Sequence, residues 1–354
     1  MKIYLLFMVL LLFQIGRAQE KIIDLDSLQR TRRNEFIKKY SHQLNIKVQI
    51  DNDVQIYEIP VNNKFVKISP NIGLKYALNL NYRFLSIGFG IRPRKAKSSI
   101  DRKGETAISD FKIGLYFNRW SQKFKYNKIK GFYIKNEDEI FPSTFQEDNY
   151  MQLPMFRTRI ISGNTGYKLN DNYSLRSTKS QTEIQLKSVG SFIPNINYSF
   201  YKINGSNKII NKNGTTIINL NYNDYSGVNF VVNLSYYYNF VVKKWFFNMA
   251  LTPGVGGNFY KKTGYNDGVK SEQNLNNFVW APKGNVGIGY NGSKIYFGTE
   301  YFREITRENS VNSALPFQTR RNGFFAYFGY RFRAPKAISV PVIFIEDKIP
   351  ILQK

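Results

Sequence analysis

The stretch 65–84 alternates strictly between apolar and polar side chains, and this pattern restricts the possible folds more than any other feature. Its even-numbered positions are all apolar or aromatic: Val66, Ile68, Pro70, Ile72, Leu74, Tyr76, Leu78, Leu80, Tyr82 and Phe84. Its odd-numbered positions from Lys67 onward are polar or small. A period of two indicates a β-strand with one face against an apolar medium and the other against water. The pattern returns at 111–118, 228–240 and 324–332.

The lengths of the connections distinguish a membrane barrel from a soluble β-sandwich, which also alternates. Tight links are expected at 83–84, 119–120, 170–172, 241–244 and 291–292, and long ones at 92–105, 135–150, 204–226, 260–277 and 304–321. Tight turns at one end and long loops at the other are typical of outer-membrane barrels. We therefore predict an all-β fold, a transmembrane antiparallel β-barrel of about 12 strands (roughly 10–14), over residues 44–332. A soluble sandwich in the cell envelope is the less favoured alternative.

The N-terminus predicts export. A basic start, an apolar run over 3–15 and the small residues Gly16 and Ala18 indicate a cleaved signal peptide at 1–18. Residues 19–43 are then a periplasmic leader with a short helix. The helix is predicted over 26–44, since apolar residues recur at helical spacing behind Asp26: Leu28, Phe36, Ile37, Tyr40 and Leu44. Two segments fit the scheme less well. Residues 173–187 are polar on both faces and either project beyond the lipid or fold inward. The tail, 333–354, is a periplasmic extension, a plug or an extra strand.

Composition excludes several kinds of chemistry. The chain has no cysteine and one histidine, which rules out disulfides, cysteine nucleophiles and zinc sites with two histidines. Its formal net charge is +26, but export disfavours nucleic acid as a partner. We predict no catalytic residue, no cofactor and no metal site.

Three local patterns are candidate sites. Residues 287–292 have the spacing G-x-G-x-x-G, but an alternating run follows where a dinucleotide site needs a helix, so a hairpin is expected. His42 is the only imidazole and lies before the barrel. The acidic residues of one long loop are a weak calcium candidate: Glu137, Asp138, Glu139, Glu147 and Asp148.

Two sets of basic residues carry more information. One set falls on the polar parity of its strands and is predicted to line the lumen: Lys67, Lys75, Arg83, Lys112, Arg157 and Arg159. A lumen lined with cations prefers anions. The other set lies on the first long loop, at the level of lipopolysaccharide phosphates: Arg92, Arg94, Lys95, Lys97, Arg102 and Lys103. For each set the alternative is structural: a neutralised, filled lumen in the first case and solubility in the second.

Several segments, in order along the chain, resemble domain of unknown function 4421 (DUF4421), a family of predicted outer-membrane proteins from Bacteroidota. The resemblance spans about 36–332 and is carried by Ser69-Pro70-Asn71, the run Tyr82 to Ile87, Gly104-Glu105-Thr106, Lys130-Gly131-Phe132-Tyr133, Tyr173-Ser174-Leu175-Arg176 and the run Gln185 to Phe192. The family pattern has Ala where this chain has Val189. The resemblance implies a barrel in the outer membrane and no catalytic residues.

These observations predict a non-enzymatic outer-membrane barrel, either a small anion-preferring channel or transport barrel. The alternative is a structural or binding barrel whose basic loop contacts lipopolysaccharide or a partner. A lipid-modifying enzyme ranks below both, because His42 is the only possible imidazole base. The expected partners are outer-membrane lipid, lipopolysaccharide and the barrel-assembly machinery.

Overall fold

The structure, a computed structural model, is built mostly of strands. It describes residues 34–61, 64–140, 150–205, 208–210, 215–218, 222–266, 269–309 and 317–348. The predicted signal peptide and most of the leader lie outside these residues. Among the described helices, none is long and apolar enough to cross a membrane.

The strands and helices run in chain order as follows. The strands of the first half are β1 Ile37–Lys39, β2 Gln43–Asp51, β3 Val54–Val61, β4 Lys64–Ser69, β5 Lys75–Tyr82, β6 Leu85–Ile91, β7 Ala107–Tyr116, β8 Trp120–Ile134, β9 Gln152–Tyr167 and β10 Glu183–Gln185. Those of the second half are β11 Val189–Asn204, β12 Lys208–Ile210, β13 Thr216–Ile218, β14 Tyr222–Val242, β15 Trp245–Thr252, β16 Gly254–Asn266, β17 Val269–Trp280, β18 Lys283–Asn291, β19 Ile295–Asn309 and β20 Phe317–Arg333. The helices are α1 Lys97–Lys103, α2 Glu137–Ile140, α3 Leu175–Thr178 and α4 Lys336–Lys348.

The strands close into a 12-strand antiparallel barrel, which confirms the predicted fold class. Four of the twelve are interrupted strands, each made of two consecutive segments: β2 with β3, β4 with β5, β15 with β16, and β17 with β18. The barrel closes where β20 pairs with β2, with Leu44 opposite Phe332 and Ile50 opposite Ala326. Because every strand finds a partner on both sides, the closed sheet has no free edge.

The apolar face of the strands points outward, as the alternation predicts. Leu74, Leu78, Val232 and Leu234 are each about half exposed, while their polar neighbours on the same strands, such as Asn81 and Asn233, are buried inside the barrel. On β14 the exposed apolar positions run from Val228 to Val242. We call this band of outward apolar side chains the outer belt. A soluble barrel would bury these side chains instead.

The connections segregate by length, with exceptions at both ends. Tight turns join β5 to β6, β7 to β8, β14 to β15 and β18 to β19 at what we call the turn end. The tight link predicted at 170–172 is wrong, because the long segment 168–188 joins β9 to β11 at this end. At the opposite, loop end, the links at 92–106 and 135–151 are long. The long loops predicted at 260–277 and 304–321 are wrong, because β16 pairs with β17 up to Asn266 and β19 pairs with β20 up to Glu308. Polar side chains on both faces obscured these extensions, which are held by backbone hydrogen bonds.

The predicted leader helix over 26–44 is wrong from residue 37 onward. Residues 34–36 are helical, but Ile37–Lys39 is strand β1 and Gln43 begins β2. Ile37 and Tyr40, taken as one face of a helix, are buried by contacts with distant parts of the chain. Tertiary pairing therefore overrides the local helical spacing.

The tail forms helix α4, which corrects the extra-strand alternative. Val342 packs with Leu44, Tyr82 and Phe84 at the turn end, and Arg83 forms an ion pair with Glu346. Val340 and Phe344 are exposed. Since Val340 and Phe344 are one helical turn apart, the alternation of this segment is also compatible with a helix face.

Candidate functional site

The link between β9 and β11, residues 168–188, folds back into the barrel and is called the inward segment. It contains α3 and β10, and most of its polar side chains are buried. Tyr173 and Ser180 have no exposed surface. Of the two placements predicted for 173–187, the inward one is therefore correct.

Polar contacts within the inward segment fix its shape. The Ser174 hydroxyl accepts a hydrogen bond from the Ser177 amide at 3.0 Å, as expected of a helix N-cap, and donates to Glu183 at 2.6 Å. Arg176 forms an ion pair with Glu183 at 3.3 Å. The buried Glu183 carboxylate thus joins α3 to β10, and its charge is compensated.

The first barrel strand holds the inward segment through its inward-facing polar side chains. Asn45 Nδ2 donates to the Ser180 carbonyl oxygen at 3.0 Å. Lys47 Nζ donates to the Lys179 carbonyl oxygen and to Gln181 Oε1, both at 3.0 Å. These bonds satisfy backbone acceptors that would otherwise be buried without a partner.

Arg331 of β20 holds the segment from the other side of the barrel closure. Its Nε and Nη2 donate to the Gln181 carbonyl oxygen at 2.9 and 2.7 Å, and its Nη1 donates to the Gly292 carbonyl oxygen at 2.5 Å. The guanidinium also lies over the Tyr296 ring, 4.5 Å from the centroid. Gln181 has φ +52°, a left-handed conformation rare for residues other than glycine.

The leader closes the turn end beneath the inward segment. Strand β1 pairs antiparallel with β10, with Ile37 opposite Gln185 and Lys39 opposite Glu183. The Tyr40 amide extends the contact by donating to the Thr182 carbonyl oxygen at 3.1 Å. Leader and inward segment thus form a two-stranded sheet of their own.

Lys179 is the charged link between the inward segment and the wall. Burial lowers the pKa of Lys179, but the Glu300 carboxylate 3.5 Å away and the hydroxyl groups of three nearby tyrosines together outweigh it, and the net effect raises that pKa. Lys179 is therefore a permanent cation at neutral pH.

Above the inward segment lies a lumen cavity of about 840 Å³. Seven cationic and three anionic side chains line it, together with many Asn and Tyr residues. The charged residues are Lys123, Lys125, Lys179, Lys262, Lys283, Arg303, Arg321, Glu300, Glu304 and Glu308. The cavity therefore has a cationic excess.

Four of the seven cations have no ion pair with a described carboxylate: Lys123, Lys125, Lys262 and Arg303. Of these, Lys123 and Lys125 lie on the same face of one strand, β8. Glu304 pairs with Lys283 at 2.8 Å and with Arg321 at 3.4 Å, and Glu300 pairs with Lys179. No described acid lies within ion-pair distance of Lys123 or Lys125. Lys125 stands directly opposite Lys112 of β7, so two cations face each other on the inner wall. An anion held there would relieve this repulsion.

None of the six residues predicted to line the lumen borders the cavity. Lys75 points inward but is buried and binds Asp51 and Asp110 at 3.1 and 3.0 Å. Lys112 also faces inward, opposite Lys125. Arg83 lies in a turn and binds Glu346 of α4.

The other three lie on the outer face, which corrects their assignment to the lumen. Lys67 is opposite Glu58 and binds Glu139 at 3.2 Å. Arg157 and Arg159 share the face of Ile161, which is half exposed in the outer belt. Near the loop end the alternation is reversed, because apolar side chains such as Ile68 and Phe156 are buried on the inner face and the basic residues beside them lie outside. The alternation on β8 could have identified the two cavity lysines. Lys123 and Lys125 flank Phe124 in the sequence, so they lie on the opposite face of the strand.

The predicted lipopolysaccharide-contacting residues form a partly engaged basic loop, residues 92–103. Arg92 donates to the carbonyl oxygens of Gly73 and Asp53, both at 3.2 Å. Arg94 pairs with Glu105 at 3.4 Å, and Lys103 lies over the rings of Tyr133 and Tyr150. Lys95 packs against Gly73, whereas Lys97 and Arg102 are exposed.

The remaining sequence candidates have structural positions. His42 is exposed at the turn end, just before β2. Residues 287–292 lead from β18 through a turn into β19, which confirms the predicted hairpin. Glu137 accepts a hydrogen bond from the Met151 amide, and Glu147 and Asp148 lie outside the described residues. The described residues contain no group of three or more His, Cys, Asp or Glu residues able to hold a metal ion.

The protein is thus a closed β-barrel that is filled at its turn end by the inward segment and has a polar cavity above that segment. A model of the family described as "Domain of unknown function (DUF4421)" matches residues 25–332, and the chain belongs to this family. No curated protein matches the chain.

Solved structures with a similar barrel include three bacterial proteins. The outer membrane protease OmpT from Escherichia coli is 8% identical with a TM-score of 0.37, and the match covers 83% of this chain and 98% of that chain. The translocator domain of the autotransporter NalP from Neisseria meningitidis is 8% identical with a TM-score of 0.32, and the match covers 87% of this chain and 94% of that chain. The toluene transporter TodX from Pseudomonas putida is 7% identical with a TM-score of 0.29, and the match covers 81% of this chain and 89% of that chain.

Proposed function

We propose that this protein is a non-enzymatic outer-membrane barrel with its loop end outside the cell and its turn end in the periplasm. Support comes from the outer belt, which would lie against lipid, and from the polar interior, which would lie against water. The placement of tight turns at one end and long links at the other gives the orientation.

Within this barrel, the lumen cavity binds a small anionic solute that enters from the loop end. The observation that carries this proposal is the pair Lys123 and Lys125, which face the cavity without a carboxylate partner among the described residues. The acids that line the cavity are already engaged: Glu300 and Glu304 bind other cations, and Glu308 accepts a hydrogen bond from Asn277. Lysine ammonium groups recognise phosphate and carboxylate groups as point charges.

The inward segment closes the far end of the cavity, so conduction requires that segment to move. The anion-preferring channel predicted from the sequence becomes a gated one in this proposal. In the closed conformation the barrel acts as a binding cup.

Recordings in planar phospholipid bilayers test the proposal. The intact chain should conduct little. A variant in which residues 172–187 are replaced by a short Gly-Ser link should conduct strongly and pass chloride ahead of potassium in a KCl gradient. Adding Lys123→Gln and Lys125→Gln should reduce that anion preference, whereas the exposed turn-end pair Lys244→Gln and Lys294→Gln should leave it unchanged.

A measurement on the intact chain covers the case in which the shortened variant does not fold. Inorganic pyrophosphate should raise the unfolding temperature of the wild-type barrel, because a ligand that binds the native state stabilises it. The Lys123→Gln/Lys125→Gln variant should lose this shift. Potassium selectivity of the shortened variant, or an equal pyrophosphate shift in both proteins, would contradict the anion assignment.

A further inference from the structure

Three cations form one row across the outside of the barrel, and we call them the outer cation row. Lys128 of β8 stands opposite Arg159 of β9, and Arg159 stands opposite Lys202 of β11. All three share the face of Ile161 and Phe200, whose side chains are about half exposed. The row therefore faces away from the lumen.

The outer cation row lies immediately beyond the apolar belt on each of its strands. Moving two residues from each cation toward the turn end leads to Tyr126, Ile161 and Phe200, which are themselves aligned in register. Phe200 is in turn opposite Val228, where the belt on β14 begins. In a membrane, this height corresponds to the boundary between acyl chains and headgroups.

The row is not neutralised by the described part of the chain. No described carboxylate lies within ion-pair distance of Lys128, Arg159 or Lys202. The same register continues through Ser226 to Lys261, and that lysine is paired with Glu272. In the basic loop, Arg92, Arg94 and Lys103 are likewise engaged. The outer cation row is thus the less compensated of the two basic surfaces.

Two more cations widen the surface toward the loop end. Lys130 and Arg157 are opposite each other, two residues beyond Lys128 and Arg159 on the same outer face. Nε of Arg157 is buried and has no hydrogen-bond partner among the described residues. With strands about 4.8 Å apart and about 3.3 Å per residue, the five cations cover roughly 10 by 7 Å. That area can contact two phosphate groups at once.

We propose that the outer cation row, with Lys130 and Arg157, binds the phosphate groups of a diphosphorylated lipid in the outer leaflet. The inference rests on the membrane placement in the proposed function but is independent of any ligand in the lumen. Charge complementarity and continuity with the outer belt select this occupant: the acyl chains would lie against Ile161 and Phe200 while the phosphates contact the cations. Arginine and lysine form strong charge-assisted hydrogen bonds with phosphate.

The test uses the full chain in phosphatidylcholine nanodiscs that contain diphosphoryl lipid A as the probe. Native mass spectrometry should show lipid A retained by the wild-type barrel. The triple variant Lys128→Gln, Arg159→Gln, Lys202→Gln should bind it at least tenfold more weakly. The control variant Lys244→Gln, Lys294→Gln, Lys336→Gln removes the same charge at the turn end and should bind like the wild type. Raising the salt concentration should weaken binding to the wild type.

Three outcomes would overturn the inference: equal retention by the triple variant, equal retention of dephosphorylated lipid A, or equal retention of phosphatidylglycerol. Insertion of each variant is measured separately, by the heat-dependent gel mobility typical of folded barrels. A wild-type chain that fails to insert into nanodiscs would contradict the membrane placement itself. Normal insertion with unchanged lipid A binding would contradict only the phosphate site.

Discussion

Arg331 donates two hydrogen bonds to the carbonyl oxygen of Gln181, from the final barrel strand to a segment 150 positions earlier in the sequence. The arginine is only 2% exposed, and its charge is balanced by carbonyl oxygens, by Asn291 and by the rings of Tyr40 and Tyr296. This contact links β20, the strand that closes the barrel against β2, to the inward segment that fills the turn end of the lumen.

Replacing Arg331 should destabilise the barrel more than any replacement of an exposed arginine nearby. Arg331→Ala leaves the carbonyl oxygens of Gln181 and Gly292 buried without donors, at a cost of about 3 kcal/mol. Urea unfolding in detergent, followed by tryptophan fluorescence, measures the change. Arg333→Ala, two residues further on and exposed, is the control and should change the free energy of unfolding by less than about 0.5 kcal/mol. Equal effects of the two substitutions would show that the buried contact is not a major source of stability.

Lys125→Glu should stabilise the barrel while it removes anion binding. The new carboxylate faces Lys112 across the strand pair, so repulsion becomes attraction, and we expect a gain of about 0.5–1 kcal/mol. Lys125→Gln is the matched control, because it removes the repulsion without adding a carboxylate and should gain less stability. Unfolding titrations compare the two. A loss of stability in Lys125→Glu would contradict the inward placement of this pair.

A charge placed in the middle of the outer belt should be costly only if lipid covers that belt. Leu234 is at the centre of the exposed apolar run on β14, and Leu234→Arg should cost about 2–4 kcal/mol in phospholipid vesicles. Thr263→Arg lies on the outer face beyond the belt, opposite Asp224, and should cost about 0–1 kcal/mol. Denaturant titrations in vesicles measure both. A similar cost at both positions would argue against the membrane placement.

The pairing of leader and inward segment can be tested with an engineered disulfide, since the chain has no cysteine of its own. Lys38 is directly opposite Ile184, and opposite residues of antiparallel strands lie within the Cα separation that a disulfide requires. The Lys38→Cys/Ile184→Cys variant should therefore oxidise readily, seen as a loss of free thiol and a shift in gel mobility. The pair Lys38→Cys/Lys187→Cys is three residues out of register and should remain reduced. Oxidation of the second pair but not the first would place β1 differently.

The sequence predicted the barrel well because the alternation between an outward apolar face and an inward polar face is a local signal. The alternation along a single strand assigns Leu74, Leu78 and Val232 to the outer face, and no knowledge of distant partners is needed. The family resemblance added independent support, and the family match over 25–332 confirms it.

From the sequence, two placements of the inward segment were possible and neither could be preferred. The contacts that hold the segment come from residues far away in the sequence. Asn45, Lys47 and Arg331 contact it across separations of more than 130 residues, and none of these contacts leaves a periodic pattern. The same applies to β1, whose residues resemble a helix face in sequence but pair with β10. For Arg157 and Arg159 the prediction failed for a different reason, since beyond the belt the inner face is apolar at Phe156 and the polar face is the outer one.

The leader runs from its pairing with β10 at Lys39 into the barrel wall at Gln43 within four residues. If the inward segment moves toward the turn end, one of two things must happen. Either the three residue pairs between β1 and β10 separate, or the movement pulls on β2, the first strand of the barrel wall. The inward segment and the barrel wall are thus mechanically coupled, and a force applied on the N-terminal side of β1 would be transmitted directly to the inward segment.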